Sequence, residues 1–129
     1  IVSGAAHRCM GASDALIVTS GTATMEAAIV GTPMVVVYRT STITYLLARL
    51  LVDIPHISWP NILMEKRIVP ELLQDEAEPE AIARLVLLML DNESLSSEIR
   101  KNLAEARDKL GSPGALMRTA ELVLEVARR

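Results

Sequence analysis

Apolar residues follow two rhythms along this chain: short unbroken runs alternate with helical spacing up to about residue 60, and beyond that helical spacing dominates. Residues 15–19, ALIVT, are too short and too apolar for anything but a buried strand, and Val18 and Thr19 are β-branched. Residues 34–37, MVVV, form a second such run, as in a parallel strand covered on both faces. Residues 1–3 read as a strand end, and 54–58 as a further short strand that Pro55 places at an edge or a start. Helices are predicted over 5–12, 23–30 and 42–52, and the second of these stops at Gly31, a left-handed terminator with Pro33 beyond it. In 42–52 the apolar residues Ile43, Tyr45, Leu46, Leu47, Leu50 and Leu51 exceed a single stripe, and Arg49 is the only charge. Burial is the first expectation for this helix; a face toward another domain, a subunit or lipid is the alternative.

The remainder reads as packing elements. Residues 59–62 are expected as a loop, 69–73 as a short helical turn, and Gln74-Asp75-Glu76 as exposed. A helix over 79–90 opens on proline and carries Ile82, Leu85, Val86 and Met89 on one face. Another over 95–110, capped by Ser94, carries Leu95, Ile99, Leu103, Ala106 and Leu110. The last starts with Ser112 as N-cap and Pro113 at its first position, and turns Leu116, Ala120, Val123, Leu124 and Ala127 inward. Strands alternating with helices imply right-handed crossovers, hence an α/β fold: a Rossmann-like parallel sheet with helices on both faces, followed by C-terminal helices. The expected division is a half-domain over 1–92 and helices over 93–129 packing on it. Ligands of such sheets sit outside the C-terminal strand edges, where Ser20, Gly21 and the Tyr38-Arg39 pair fall.

The chemistry concentrates at Ser20-Gly21-Thr22, between the first full strand and its helix. Hydroxyls there can cap the helix, and glycine lets the backbone approach a ligand. A helix start without bulk leaves amides unpaired at the positive dipole end, which suits a phosphate. Glu26 projects from the same helix face as Thr22, one turn on, about 5–6 Å along the axis. There a carboxylate can accept from the two hydroxyls of a ribose. The plainer reading makes Ser-Gly-Thr a cap and Glu26 a solvated charge, and spacing alone does not choose between them. Asn61 carries the same ambiguity: an amide able to meet a phosphate and a hydroxyl, or one that caps its own loop.

Composition narrows the field. The 129 residues make one domain's worth of chain, enough to bury about two-thirds of the unfolded surface. Two tyrosines, one tryptophan and no phenylalanine make the core aliphatic. A net charge of −3 without a Lys/Arg cluster argues against nucleic acid as a partner. Cys9 is the single cysteine, which excludes a disulfide framework and leaves it as a small core residue. No apolar run is long enough to span a membrane and no signal peptide is visible, so a cytoplasmic location is expected. A chain opening on Ile1-Val2 without an initiator methionine reads as a piece of a longer protein. His7 and His56 have no metal-ligand spacing, Ser20 lacks the G-x-S-x-G elbow, and no Walker lysine follows the turn. Glu71, Asp75, Glu76, Glu78 and Glu80 read as a solvated acidic run. What remains is a phosphate-and-ribose site with no evident acid, base or nucleophile, and no cofactor or metal.

The blocks SGTATMEAAIVGTPMVVVYR, TYLLARLLV, PNIL and VPELLQDE, in this order and spacing over most of 15–76, resemble the C-terminal part of lipid-A-disaccharide synthase. That family consists of inverting glycosyltransferases with two Rossmann domains (the GT-B architecture). The resemblance implies the donor-nucleotide domain, in a parent enzyme that joins a diacylglucosamine from its UDP derivative to a diacylglucosamine 1-phosphate. The product is the β-1,6 disaccharide of lipid A, released with UDP. Carried onto this chain, Ser20, Gly21, Thr22 and Ala23 face the diphosphate and Glu26 takes the ribose hydroxyls. Asn61 becomes a polar active-site residue near the phosphates, the one catalytic candidate here. Arg39 helps neutralise the leaving group, and main chain near Val2 meets the uracil. The implied partners are a UDP-sugar lipid donor, an N-terminal acceptor domain carrying the catalytic base, and the inner-membrane surface to which the parent is peripheral; separately, the wide apolar face of 42–52 and the edge at Ile1 predict self-association, as in a homodimer. The chain departs from the family at Met64-Glu65-Lys66-Arg67, where Ala-Gly-Arg-Glu is usual. Lys66 keeps the charge but not the planar two-point contact of arginine, and Glu65 takes the place of a glycine. Two other readings stand beside this one. A UDP-sugar epimerase would show Asp-Ser-Gly-Gly, where this chain has Thr19 and Thr22 in the outer places. A non-catalytic nucleotide-binding or oligomerisation module is the third.

Overall fold

The structure, a computed structural model, describes residues 3–51, 55–112 and 114–128. Its centre is a parallel sheet of β1 (Leu16–Thr19), β2 (Met34–Tyr38) and β3 (Glu71–Leu73), in that spatial order. Val18 pairs with Val36 and Val36 with Glu71, so these three share one face; Ile17, Val35 and Leu72 belong to the other. Met34, Val35 and Val36 are all buried, as expected of a strand covered on both sides.

Around the sheet lie α1 (Ala6–Gly11), α2 (Thr22–Val30), α4 (Trp59–Met64), α5 (Pro79–Asp91) and α6 (Glu93–Lys109). α5 covers the Ile17 face, where Ile17, Pro79, Ile82 and Val86 line one apolar groove. On the other face α4 brings Ser58 and Asn61 onto Glu71. α6 closes the core by packing against α2, α4 and α5 through Ile99, Leu103 and Ala106. α2 ends as its sequence suggests: Gly31 is left-handed, with φ 85°, and its amide donates to the Ala27 carbonyl.

Several segments depart from their local pattern. Residues 55–58 form no strand, and 59–62 are not a loop but most of α4. Pro60 sits in the first turn of that helix, where its missing N–H costs nothing. Residues 71–73, expected as a helical turn, pair with β2; Val36 N–H donates to Pro70 O, and Pro70 itself donates nothing at the strand's start. Asn92, not Ser94, caps α6, its side chain accepting from Leu95 N–H at 3.0 Å. The last helix, α7 (Ala115–Ala127), starts after Gly114 and buries none of its residues; Leu116 is 89% exposed. The inward face expected for Leu116, Val123 and Leu124 therefore has no cover among the described residues. In α3 (Thr42–Leu51) Ile43 and Leu50 are exposed, against the expectation of burial, while the side chains of Leu46, Leu47 and Leu51 lie outside the description. Cys9 is exposed on α1, not a core residue. The expectations for Ile1, Val2, Val52, Ile54 and Pro113 lie outside the described residues.

Candidate functional site

Three loops leave the carboxyl edge of the sheet side by side. From β1 the chain turns through Ser20-Gly21 into α2, from β2 it runs into Arg39-Thr40, and from β3 into Gln74. Gly21 takes φ 152° and ψ −161°, a conformation that is essentially closed to other residues. A Cβ built there meets nothing within 4 Å, so glycine is required by the backbone angle while open space lies before it. No side chain caps α2. The Thr24 hydroxyl and amide both turn back to Gly21 O, at 2.7 and 3.1 Å. The amides of Thr22 and Ala23, ahead of that contact, stand at the positive end of a nine-residue helix.

Ser20 is held differently. Its amide donates to Val37 O as a continuation of the sheet, and its hydroxyl donates to Ile57 O at 2.9 Å. With its proton directed there, Ser20 braces the turn, while the Thr22 side chain is exposed. Glu26 lies one turn further along α2. Its Oε2 is 3.1 Å from His7 Nε2 on α1, both side chains being well exposed, and Oε1 has no partner among the described residues. At the next loop Arg39 donates from Nε to Gln74 O and from Nη2 to Glu78 Oε1, at 3.2 and 3.0 Å. Gln74, left-handed at φ 49°, clamps the Thr40 main chain at both its N–H and its carbonyl. Thr19, Val37, Tyr38, Arg39, Ala77 and Ile82 line a shallow recess beside these loops.

Asn61 sits beneath this edge, fully buried. Its Nδ2 donates to Val69 O and Glu71 Oε1, both at 2.8 Å, and its Oδ1 accepts from Ile68 and Val69 N–H. Both donors and both lone pairs of the amide are therefore engaged within the chain. Asn61 thereby ties the 61–71 loop together. Glu71, expected on the surface with the acidic run, is buried as well; Asp75, Glu76, Glu78 and Glu80 are exposed as anticipated. Its one visible signal was an acid set among apolar residues in VPELL. The His7–Glu26 pair and the Gln74 clamp left no signal, since neither contact is local. Glu65 keeps the left-handed conformation a glycine would favour, at φ 53°, and Lys66 Nζ donates to Asn102 Oδ1.

Parallel strands with helices on both faces define an α/β fold, and an uncapped helix start stands at the strands' carboxyl ends. A family model described as lipid-A-disaccharide synthetase matches residues 1–126, and the chain belongs to that family. It is 40% identical over its whole length to a lipid-A-disaccharide synthase of Syntrophus aciditrophicus. It is 46% identical to those of Anaeromyxobacter dehalogenans and Myxococcus xanthus, over 99% and 98% of the chain. The chain spans about a third of the length of these curated relatives, 34% of the first and 33% of the other two. Their name is that of a glycosyltransferase of lipid A biosynthesis. Among the described residues, no helix is long and apolar enough to cross a membrane.

Proposed function

We propose that these residues form the donor-nucleotide half of an inverting GT-B glycosyltransferase that makes the β-1,6 disaccharide of lipid A from a UDP-diacylglucosamine donor. The observation that carries this reading is the uncapped start of α2 at the carboxyl edge of β1, with Glu26 one turn along it. The diphosphate lies against the amides of Thr22 and Ala23 and the Thr22 hydroxyl, in the space before Gly21. Glu26 accepts the ribose hydroxyls through Oε1 while His7 steadies Oε2. Arg39 exchanges Glu78 for the diphosphate and offsets charge on the departing UDP. Among the described residues, none at this edge serves as a general base. That role belongs to the acceptor side of the longer enzyme, so the 129 residues bind UDP and transfer no sugar on their own. A donor carrying acyl chains brings the whole enzyme to a membrane surface.

UDP binding tests the reading directly. At a hundred times its dissociation constant, UDP stabilises the chain by about 2.7 kcal/mol, read as a rise in melting temperature. Glu26→Ala lowers UDP affinity about tenfold, about 1.4 kcal/mol for its charge-assisted hydrogen bonds, and leaves unliganded stability nearly unchanged. No stabilisation at millimolar UDP, or disaccharide made by the purified chain alone, would overturn this assignment.

A further inference from the structure

The buried carboxylate of Glu71 lies outside the ligand contacts proposed above, yet it is joined to them. Glu71 Oε1 accepts from Ser58 N–H at 2.9 Å, Ser58 Oγ–H at 2.6 Å and Asn61 Nδ2–H at 2.8 Å. Ile57 N–H divides its donation between the two oxygens, at 3.3 and 3.2 Å. His56 Nδ1 stands 4.0 Å from Oε2. The same Ile57 whose amide is held by the carboxylate accepts the Ser20 hydroxyl on its carbonyl. A continuous path therefore runs from Glu71 through the 57–58 peptide to the turn before α2. Residues 55–58 have no ladder to fix them, so Glu71 supplies the acceptor that strand pairing does not.

We propose that Glu71 is a positioning residue for the anion-binding turn: it fixes Ile57, Ile57 fixes Ser20, and Ser20 sets where the Gly21, Thr22 and Ala23 amides point. A solvated acid could be exchanged without consequence. This one is an anchor, because its two oxygens accept several donors at once and a glutamine in its place brings two N–H groups into a ring already full of donors. The ligand half of the claim rests on the UDP reading; the mechanical half does not.

The experiment uses the full chain and two readouts, UDP affinity by calorimetry and the backbone amide resonances of Gly21 and Thr22. Glu71→Gln is expected to move both resonances and to lower UDP affinity roughly tenfold, the scale of one lost hydrogen bond. Ser20→Ala, at the other end of the path, gives a similar loss, and Ser20→Thr, which keeps the hydroxyl, restores it. The double variant loses little more than either single one, because both cut the same path. Additive losses, or turn resonances and affinity unmoved by Glu71→Gln, overturn the proposal. Should Glu71→Gln not fold, equal affinity and equal turn resonances in Ser20→Ala and Ser20→Thr overturn it. If the unmodified chain binds no UDP, the donor-site reading falls, and the resonances alone decide whether the brace exists.

Discussion

Two polar regions meet at Ile57 and use their hydrogen-bonding groups in opposite ways. In residues 57–71, Ser58, Asn61 and Glu71 are buried and satisfy one another at 2.6 to 3.0 Å, with the Ile68 and Val69 amides drawn in. In residues 20–26, the helix start has no side-chain cap and one oxygen of Glu26 is unused among the described residues. Polar groups kept from water demand partners, so the first region is closed by necessity. The second lies at the surface, where water satisfies the same groups. A satisfied network beneath uncapped amides is the arrangement that the proposed anion site calls for.

The largest effect follows from breaking the closed region. Asn61→Ala removes four hydrogen bonds and leaves the Ile68 and Val69 amides buried without an acceptor. Unfolding free energy falls by about 3 kcal/mol or more, measured by urea denaturation. Next comes Gly21→Ala, which forces a Cβ into a glycine-only conformation though nothing crowds it. Stability drops by about 1–3 kcal/mol, or the turn relaxes to a new angle and UDP affinity is lost instead. Unchanged melting temperature together with unchanged UDP affinity would show that the Gly21 angle does not matter.

A smaller effect of opposite sign is expected at Glu65. This residue ends α4 at φ 53°, and its carboxylate has no partner among the described residues. Glu65→Gly removes the left-handed penalty at the cost of a more flexible unfolded chain, a net gain of about 0.5–1 kcal/mol. A loss in melting temperature would mean that the side chain holds something the backbone angle does not reveal. Gln74 is left-handed too, but its side chain grips the Thr40 main chain, so Gln74→Gly destabilises where Glu65→Gly does not.

The sequence announced what is local and missed what is distant. β1, α2 with its Gly31 terminator, β2 and α5 follow from apolar runs and end signals within each segment, and the structure places them within a residue or two of their expected bounds. β3 is invisible to that method: its three residues are strand only because β2 offers an edge in register at Val36 to Tyr38. α4 was hidden behind Trp59-Pro60-Asn61, which reads as a turn unless proline is placed in a helix's first turn. At the site, the Ser20-Gly21-Thr22 turn could be read from strand–turn–helix order. Asn61 and Glu71 could be found but not assigned, because whether a polar side chain meets ligand or protein depends on partners up to fourteen residues away.

Leu103 and Leu116 reduce the lesson to one pair. Both occupy the apolar stripe of an amphipathic helix, and both were expected to face inward. Leu103 is wholly buried on α6 between α2, α4 and the rest of the core, whereas Leu116 on α7 is 89% exposed. Periodicity identifies the face that seeks cover; it does not say that the same chain supplies it. Leu103→Ala is expected to cost about 2–5 kcal/mol through lost burial and the cavity left behind. Leu116→Ser changes the stability of the isolated monomer by less than about 0.5 kcal/mol, since the leucine gives up almost no water on folding. Denaturation at rising protein concentration sharpens the contrast: a Leu116→Ser deficit that grows with concentration means that another copy covers α7, and a constant small one means that no second copy does.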